Sequence, residues 1–91
     1  MSSRILTVVP GTPVEYKSDT LLSVPISITV NPNGGTVTVS TKTAVGGTYQ
    51  AVGSGNLSGN ITSVKSDSLV SPVNAIKFTA ATQTATVEIA Q

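Results

Sequence analysis

Hydrophobic and polar residues alternate along much of this chain, and the alternation predicts short β-strands. The most regular stretch is LLSVPISITV at residues 21–30, where Leu, Val and Ile at the even positions alternate with Ser, Pro and Thr. Successive strand side chains point to opposite faces, so this stretch is predicted to be a strand with one buried face. Pro25 lacks an N–H for the strand ladder, which favours an edge strand or a bulge.

Two pairs of alternating stretches are predicted to form hairpins. The sequence TVTVSTKT at residues 36–43 follows the turn sequence NPNGG at residues 31–35. An Asn-Gly pair favours the positive φ angles of a tight hairpin turn, so residues 21–30 and 36–43 are predicted to pair. Near the end of the chain, NAIKFTA and TATVEIAQ are joined by a short polar connection and are also predicted to pair antiparallel.

Shorter strand candidates are RILTVV, TYQAV and ITSV, and no stretch has apolar residues at helical spacing. About seven short strands separated by turn signals predict an all-β fold. We expect a small antiparallel β-sandwich, either Ig-like or jelly-roll-like. A chain of 91 residues is expected to be a single domain. Residues 21–91 are assigned to the sandwich body, and residues 1–20 to either its first strand or an N-terminal arm.

The charge content and the lengths of the apolar runs exclude two classes of binding partner, nucleic acids and membranes, from the expectation. Only 10% of the residues are charged and the net charge is +1, with the five basic residues spread singly along the chain. A nucleic-acid surface needs clustered Lys and Arg, so no nucleic-acid partner is expected. No apolar run approaches the roughly 20 residues that span a membrane, so no membrane partner is expected.

The residue types that carry most catalysis are missing. The chain has no histidine and no cysteine, which excludes Ser–His–Asp and Cys–His arrangements. Its four carboxylates are Glu15, Asp19, Asp67 and Glu88, and the first two flank Lys17 in a segment typical of a polar turn. The acids do not form a calcium-type loop. We therefore expect no enzymatic activity, no bound metal and no cofactor.

The glycine-rich sequence VGSGNLSG at residues 52–59 has the composition of a phosphate-binding loop. Its glycines are spaced G-x-G-x-x-x-G, no helix is predicted after it, and no Gly-Lys-Ser/Thr follows. An exposed turn is the better interpretation, with Asn56 as a candidate contact residue. Tyr16 and Tyr49 are candidates for a protein-contact or ligand surface, because Phe78 lies on the apolar face of its stretch and is predicted to be core.

The second half of the chain resembles a known group of proteins. The stretches GGTYQAVGSGNLSGNITSV and VSPVNAIKFTAATQTATVEIAQ resemble the C-terminal half of small structural proteins of tailed bacteriophages. In those proteins a G-T-[YW] strand leads through a Gly/Ser loop to an SPV-x-A segment and a final Thr/Ala/Val strand. The resemblance covers residues 46–91. It implies a β-sandwich virion component: a head decoration (cement) protein, or a small part of the tail or neck.

The resemblance also implies how such a protein works. Members of the group act as symmetric oligomers on the major capsid protein or other virion proteins, without a cofactor. We therefore expect a non-enzymatic structural protein located in the virion and made in the host cytoplasm, forming a homo-oligomer for which a trimer is one option. The alternative is a carbohydrate- or receptor-binding β-sandwich module of a tail or host-recognition device, which would use the two tyrosines.

Overall fold

The computed structural model describes residues 3–91, which form two four-stranded antiparallel sheets packed face to face. The strands are β1 (Ser3–Val8), β2 (Val14–Lys17), β3 (Ile26–Asn31), β4 (Val37–Lys42), β5 (Gln50–Ala51), β6 (Lys65–Leu69), β7 (Ala75–Ala80) and β8 (Ala85–Ala90). The first sheet has the strand order β1-β8-β3-β6 and the second has the order β2-β7-β4-β5. The predicted all-β sandwich is confirmed, with eight described strands rather than about seven.

The core between the sheets is made by the apolar positions of the alternating stretches. Strands β3, β4, β7 and β8 supply most of it, and Phe78 is its largest fully buried side chain. Burying a side chain such as Val, Ile or Phe contributes roughly 1.5–3 kcal/mol relative to leaving it exposed. The buried face of each of these strands is the one that the alternation predicts. The members of the core cluster in these four strands are Ile26, Ile28, Val30, Val37, Val39, Ile76, Phe78, Ala80, Ala85, Val87 and Ile89.

Neither predicted hairpin forms. Strand β3 lies in the first sheet and pairs with β6 and β8, whereas β4 lies in the second sheet and pairs with β5 and β7. Strands β7 and β8 are likewise divided between the two sheets. Alternation shows which face of a strand is buried, but a connection that arches between facing sheets satisfies that pattern as well as a hairpin does. Both hairpin predictions were wrong for this reason.

The NPNGG turn exists but redirects the chain between the sheets. Asn33 and Gly34 both have positive φ angles, 52° and 87°, and the Gly35 N–H donates to the Pro32 carbonyl at 3.0 Å. The Asn33 side-chain amide donates to the Thr84 carbonyl at 3.0 Å. The two inter-sheet connections, residues 32–36 and 81–84, are therefore tied together at one end of the sandwich.

Three further details differ from the predictions. Pro25 was expected on an edge strand or a bulge, but it immediately precedes β3, an inner strand, so its missing N–H falls outside the ladder. TYQAV contributes only the two residues of β5, and ITSV contributes only Ile61, which forms an isolated bridge with Val37. Strand β6 was not predicted, because its sequence KSDSL contains a single apolar residue.

The first two strands are edge strands: β1 lies at one edge of the first sheet and β2 lies at one edge of the second. Strand β1 pairs with β8 and β2 pairs with β7, while residues 1 and 2 of the N-terminal segment lie outside the described range. The connection after β2 is held by Asn74, which is 2% exposed. Its side-chain amide donates to the carbonyls of Ser18 and Thr20 at 2.8 and 2.6 Å.

Within residues 3–91, no helix is long and apolar enough to cross a membrane.

Candidate functional site

The outer face of the second sheet carries most of the molecule's positive charge. Because β2, β4 and β7 bury their alternate residues, the intervening Glu15, Lys17, Lys42 and Lys77 point away from the core. Glu15 lies directly opposite Lys77 in the β2–β7 ladder. Three of the five basic residues of the chain therefore share one sheet face, although they are far apart in the sequence.

Tyr49, at the end of the connection between β4 and β5, lies on the same face. Its hydroxyl donates a hydrogen bond to Glu15 Oε2 at 2.8 Å. Lys77 Nζ and Lys42 Nζ lie 4.6 and 5.1 Å from the centre of its ring, within the range of cation–π attraction. Lys17 Nζ lies 4.0 Å from Glu15 Oε2. We call Glu15, Lys17, Lys42, Tyr49 and Lys77 the Tyr49 cluster.

Contacts within the cluster shift the pKa values of two of its members, Glu15 and Tyr49. The hydrogen bond from Tyr49 and the nearby lysines hold the pKa of Glu15 below its ordinary value. Burial, followed by the hydrogen bond and the charge of Glu15, raises the pKa of Tyr49 to about 12. At neutral pH the cluster therefore carries three positive charges against one negative charge. Neither Glu15 nor Tyr49 titrates near neutrality, so the net positive charge of the cluster favours an anionic ligand.

Sequence reasoning missed this cluster because it treated residues 15–19 as a polar turn. Residues 14–17 form β2 instead, and the apolar–polar alternation of Val-Glu-Tyr-Lys was the available signal. A run of four residues is short enough to be overlooked when both of its polar members are charged. The gathering of Lys42 and Lys77 needs the strand order as well, and no local pattern shows that order.

The two candidate tyrosines do not form a common platform. Tyr16 occupies the inward-facing register of β2 and packs against the core. Its hydroxyl donates to Gln91 Oε1, which joins β2 to the end of the chain. Tyr49 lies on the opposite, outer face of the same sheet. A sugar ring could therefore not stack on both tyrosines at once.

Asn56 lies at another side of the sandwich, in the connection formed by residues 53–60, which we call the side loop. Its backbone N–H donates to Asp67 Oδ2 at 3.1 Å and its side-chain amide donates to the Ser66 carbonyl at 2.9 Å. The next residue, Leu57, is only 1% exposed and belongs to the core. The side loop is thus more than the exposed turn that was predicted, because it closes the open side between β6 and β5.

Gly55 is the glycine of the side loop that lies against β6. Its φ is +83°, in the left-handed region that glycine enters most easily. A Cβ at this position would lie 2.7 Å from Asp67 Oδ2, closer than real Cβ contacts. Of the three glycines that first suggested a phosphate loop, Gly55 is therefore the one that lies against the neighbouring strand; a Cβ at Gly53 or Gly59 would meet nothing within 4 Å.

The outer face of the first sheet has the opposite character from the Tyr49 cluster. Its outward positions are small and polar, with Ile5 as the one large apolar residue and Glu88 as the one charged residue. Thr29 and Ser66 are hydrogen-bonded across adjacent strands at 2.8 Å. We call this surface the neutral face. It comprises Ser3, Ile5, Thr7, Ser27, Thr29, Asn31, Ser66, Ser68, Thr86, Glu88 and Ala90.

The described residues offer no metal centre, since residues 3–91 contain no group of three or more His, Cys, Asp or Glu side chains placed to hold an ion. Comparison of the chain with protein-family models, with curated proteins and with solved structures finds no match. The neutral face and the Tyr49 cluster are therefore the two features from which a function can be inferred.

Proposed function

We propose that this chain is a non-enzymatic structural protein of a phage particle that decorates or stabilises the capsid shell through protein–protein contacts. The observation that carries the proposal is the neutral face. Covering a sheet face of mainly Ser and Thr side chains removes few charges from water, so docking there avoids the large desolvation cost of buried ions. Glu88 is the one charged residue among the outward strand positions of this face.

Two further observations support the same proposal. Histidine and cysteine, which carry much of acid–base and nucleophilic catalysis, are absent from the sequence. Residues 46–91 also resemble the C-terminal half of small structural proteins of tailed phages. On a symmetric shell, weak contacts repeated over many copies hold a small protein by avidity rather than by one tight site.

The two outer faces predict how the protein would be oriented on the shell. The neutral face would lie against the shell, and the Tyr49 cluster, on the other sheet, would then point outwards. Because the two faces belong to different sheets of one sandwich, a single orientation cannot bury both of them against the same flat surface. Substitutions on the two faces should therefore have different effects on attachment.

The experiment is to identify the protein in purified particles by mass spectrometry and to measure heat and osmotic tolerance with and without it. Ser27→Glu adds a charge to an inner strand of the neutral face, and Thr38→Glu adds the same charge on the outer face of the other sheet. Both residues are exposed. We expect loss of attachment for Ser27→Glu alone. Absence from purified particles, unchanged tolerance, or equal attachment of both variants would contradict the proposal.

Binding of an acidic glycan or receptor is the second candidate function, and the Tyr49 cluster favours it. An aromatic ring flanked by Lys42 and Lys77 offers a stacking surface and positive charge at one place. A glycan array is the direct test. Binding of uronate- or sialate-containing glycans that Tyr49→Ala and Lys77→Ala both abolish, and that Tyr16→Phe leaves unchanged, would favour this function. An array without hits would remove it.

A further inference from the structure

Strand β1 is the one long sheet edge of the described chain that nothing covers or shortens. The other edge strands are β6, β2 and β5. The side loop bonds to the edge of β6 through the Ser66 carbonyl, β5 has only two residues, and β2 has four, of which two are charged. Strand β1 has six residues, no proline and a single charge, and Ile5 at its middle is 69% exposed. Such an edge is a template for another strand.

The main-chain groups that face outward from β1 follow from the ladder. The Ser66 carbonyl points away from β3, because it accepts a hydrogen bond from the side loop. Main-chain groups of successive strand residues point to alternate edges, so the odd-numbered residues of β6 point toward β3. By the same alternation, the even-numbered residues of β3 point toward β6 and its odd-numbered residues point toward β8. The even-numbered residues of β8 then point toward β3 and its odd-numbered residues toward β1, so the even-numbered residues of β1 point toward β8. The N–H and C=O groups of Ser3, Ile5 and Thr7 are thus directed to the open edge.

We propose that the open edge of β1 pairs with the same edge of a second copy of this chain, antiparallel about a two-fold axis at Ile5. Ser3 of each copy then lies opposite Thr7 of the other, and the two Ile5 residues lie opposite each other. This register forms about six main-chain hydrogen bonds, because all three outward-directed residues of each copy find partners. The exposed Ile5 side chains meet and cover each other on the neutral face.

Other two-fold registers of this edge are poorer. An axis at Arg4 would place Arg4 directly against its own copy, and like charges that oppose each other destabilise a strand pair. An axis at Leu6 would pair Ser3 with Val9, whose carbonyl already accepts the Thr12 N–H at 3.0 Å. The Ile5 axis avoids both defects and sets Arg4 opposite Leu6. This self-complementarity is the reason for assigning the edge to a second copy rather than to an unrelated strand.

The pairing joins the two first sheets into one continuous sheet with a single neutral face. It would deepen the proposed function by doubling the surface that lies against a shell, but it does not rest on that function. The purified chain alone is enough for the test. Absence of the protein from particles would contradict the proposed function but not the pairing. A single-chain mass in solution would contradict the pairing but not attachment to particles.

The experiment measures the mass of the purified chain by light scattering over a wide range of concentrations. Ile5→Pro removes an outward-directed N–H while leaving the groups that bond to β8, so the fold is expected to survive. Ile5→Lys places like charges across the two-fold axis. Val45→Lys is the matched control, because Val45 is 68% exposed and lies away from β1. We expect twice the single-chain mass for the wild type and for Val45→Lys, and the single-chain mass for both Ile5 variants.

Cross-linking tests the register. The chain has no cysteine, so Ile5→Cys and Val45→Cys each introduce a single thiol. A short bismaleimide should link Ile5→Cys into dimers and leave Val45→Cys unlinked, with circular dichroism confirming the fold of each variant. A single-chain mass for the wild type at every concentration would overturn the proposal. So would a dimer that survives Ile5→Lys, or a wild type that is monomeric alone and uses Ile5 only to bind another protein.

Discussion

Replacing Leu57 by alanine tests whether the side loop is part of the core. Leu57 is 1% exposed and belongs to the same buried cluster as the strand residues. On either side of it the loop is held to a different sheet. Asn56 bonds to β6, and Ile61 exchanges two main-chain hydrogen bonds with Val37 at 2.9 and 3.0 Å. The substitution removes the buried side chain without touching these anchors.

The expected cost follows from the burial and the anchors. Truncating a buried leucine to alanine costs about 2–5 kcal/mol, less where the surroundings can collapse into the space. The anchors at Asn56 and Ile61 limit such a collapse, so we expect about 3 kcal/mol of lost unfolding free energy. For a domain of this size each kcal/mol lowers Tm by roughly 4–8 °C. The expected fall in Tm is therefore about 12–24 °C.

Urea unfolding and a thermal scan measure this cost, with Val64→Ala as the matched control. Val64 lies a few residues after the loop and is 59% exposed, so its truncation is expected to change stability by no more than about 0.5 kcal/mol. An unchanged denaturant slope would show that both states keep their compactness. A Leu57→Ala cost below about 1 kcal/mol, or a cost equal to that of Val64→Ala, would refute the role given to the loop.

Three other predictions follow from single contacts. Asn74→Ala should cost about 1–3 kcal/mol in urea unfolding, since it removes two hydrogen bonds to main-chain carbonyls; a cost under about 0.5 kcal/mol would contradict this. Tyr49 should ionise late, at a pKa of about 12 against its ordinary 10.0, in an ultraviolet tyrosinate titration. Because that pKa is raised, the Tyr49 contribution to stability is complete below pH 10 and is lost as pH rises through about 12. Tyr49→Phe should abolish this late ionisation, and a late phase that persists in the variant would contradict the assignment. Gly55→Ala should cost more stability than Gly46→Ala, because both have positive φ but only Gly55 would clash with Asp67; equal costs would show that the clash is relieved.

The buried faces of the strands could be predicted from the sequence, but their partners could not. Alternation identifies residues 26–30, 76–80 and 85–89 as half-buried, and each has its apolar side in the core. Pairing depends on whether a turn keeps the chain in one sheet or carries it to the other. Asn33 and Gly34 take positive φ angles suited to a tight turn, yet the chain changes sheets there. Whether the chain stays in one sheet or crosses to the other depends on how the strands pack in the core, and a turn motif carries no information about that packing.

The Tyr49 cluster was out of reach of sequence reasoning for a related reason. Glu15 meets Lys77 through the β2–β7 register, and Lys42 joins them because β4 pairs with the other side of β7. Glu15 and Lys77 are 62 positions apart and Lys42 and Lys77 are 35 positions apart, so neither proximity is visible without the strand order. Tyr49 itself was a candidate from the sequence, as one of only two tyrosines, and the structure places it beside Glu15 and Lys77 on the outer face of the second sheet.

The side loop and the open edge of β1 together determine how far strand pairing would extend. A sheet with two open edges can add a copy at each edge, which leads to open chains of molecules rather than a closed assembly. In the first sheet, Asn56 occupies the Ser66 carbonyl on the β6 edge, and the side chain of Asp67 is engaged by the same loop. The β1 edge is then the less obstructed of the two, and a two-fold contact through Ile5 occupies it in both copies. Gly55, where the side loop lies against β6, thus favours a closed dimer over a fibre.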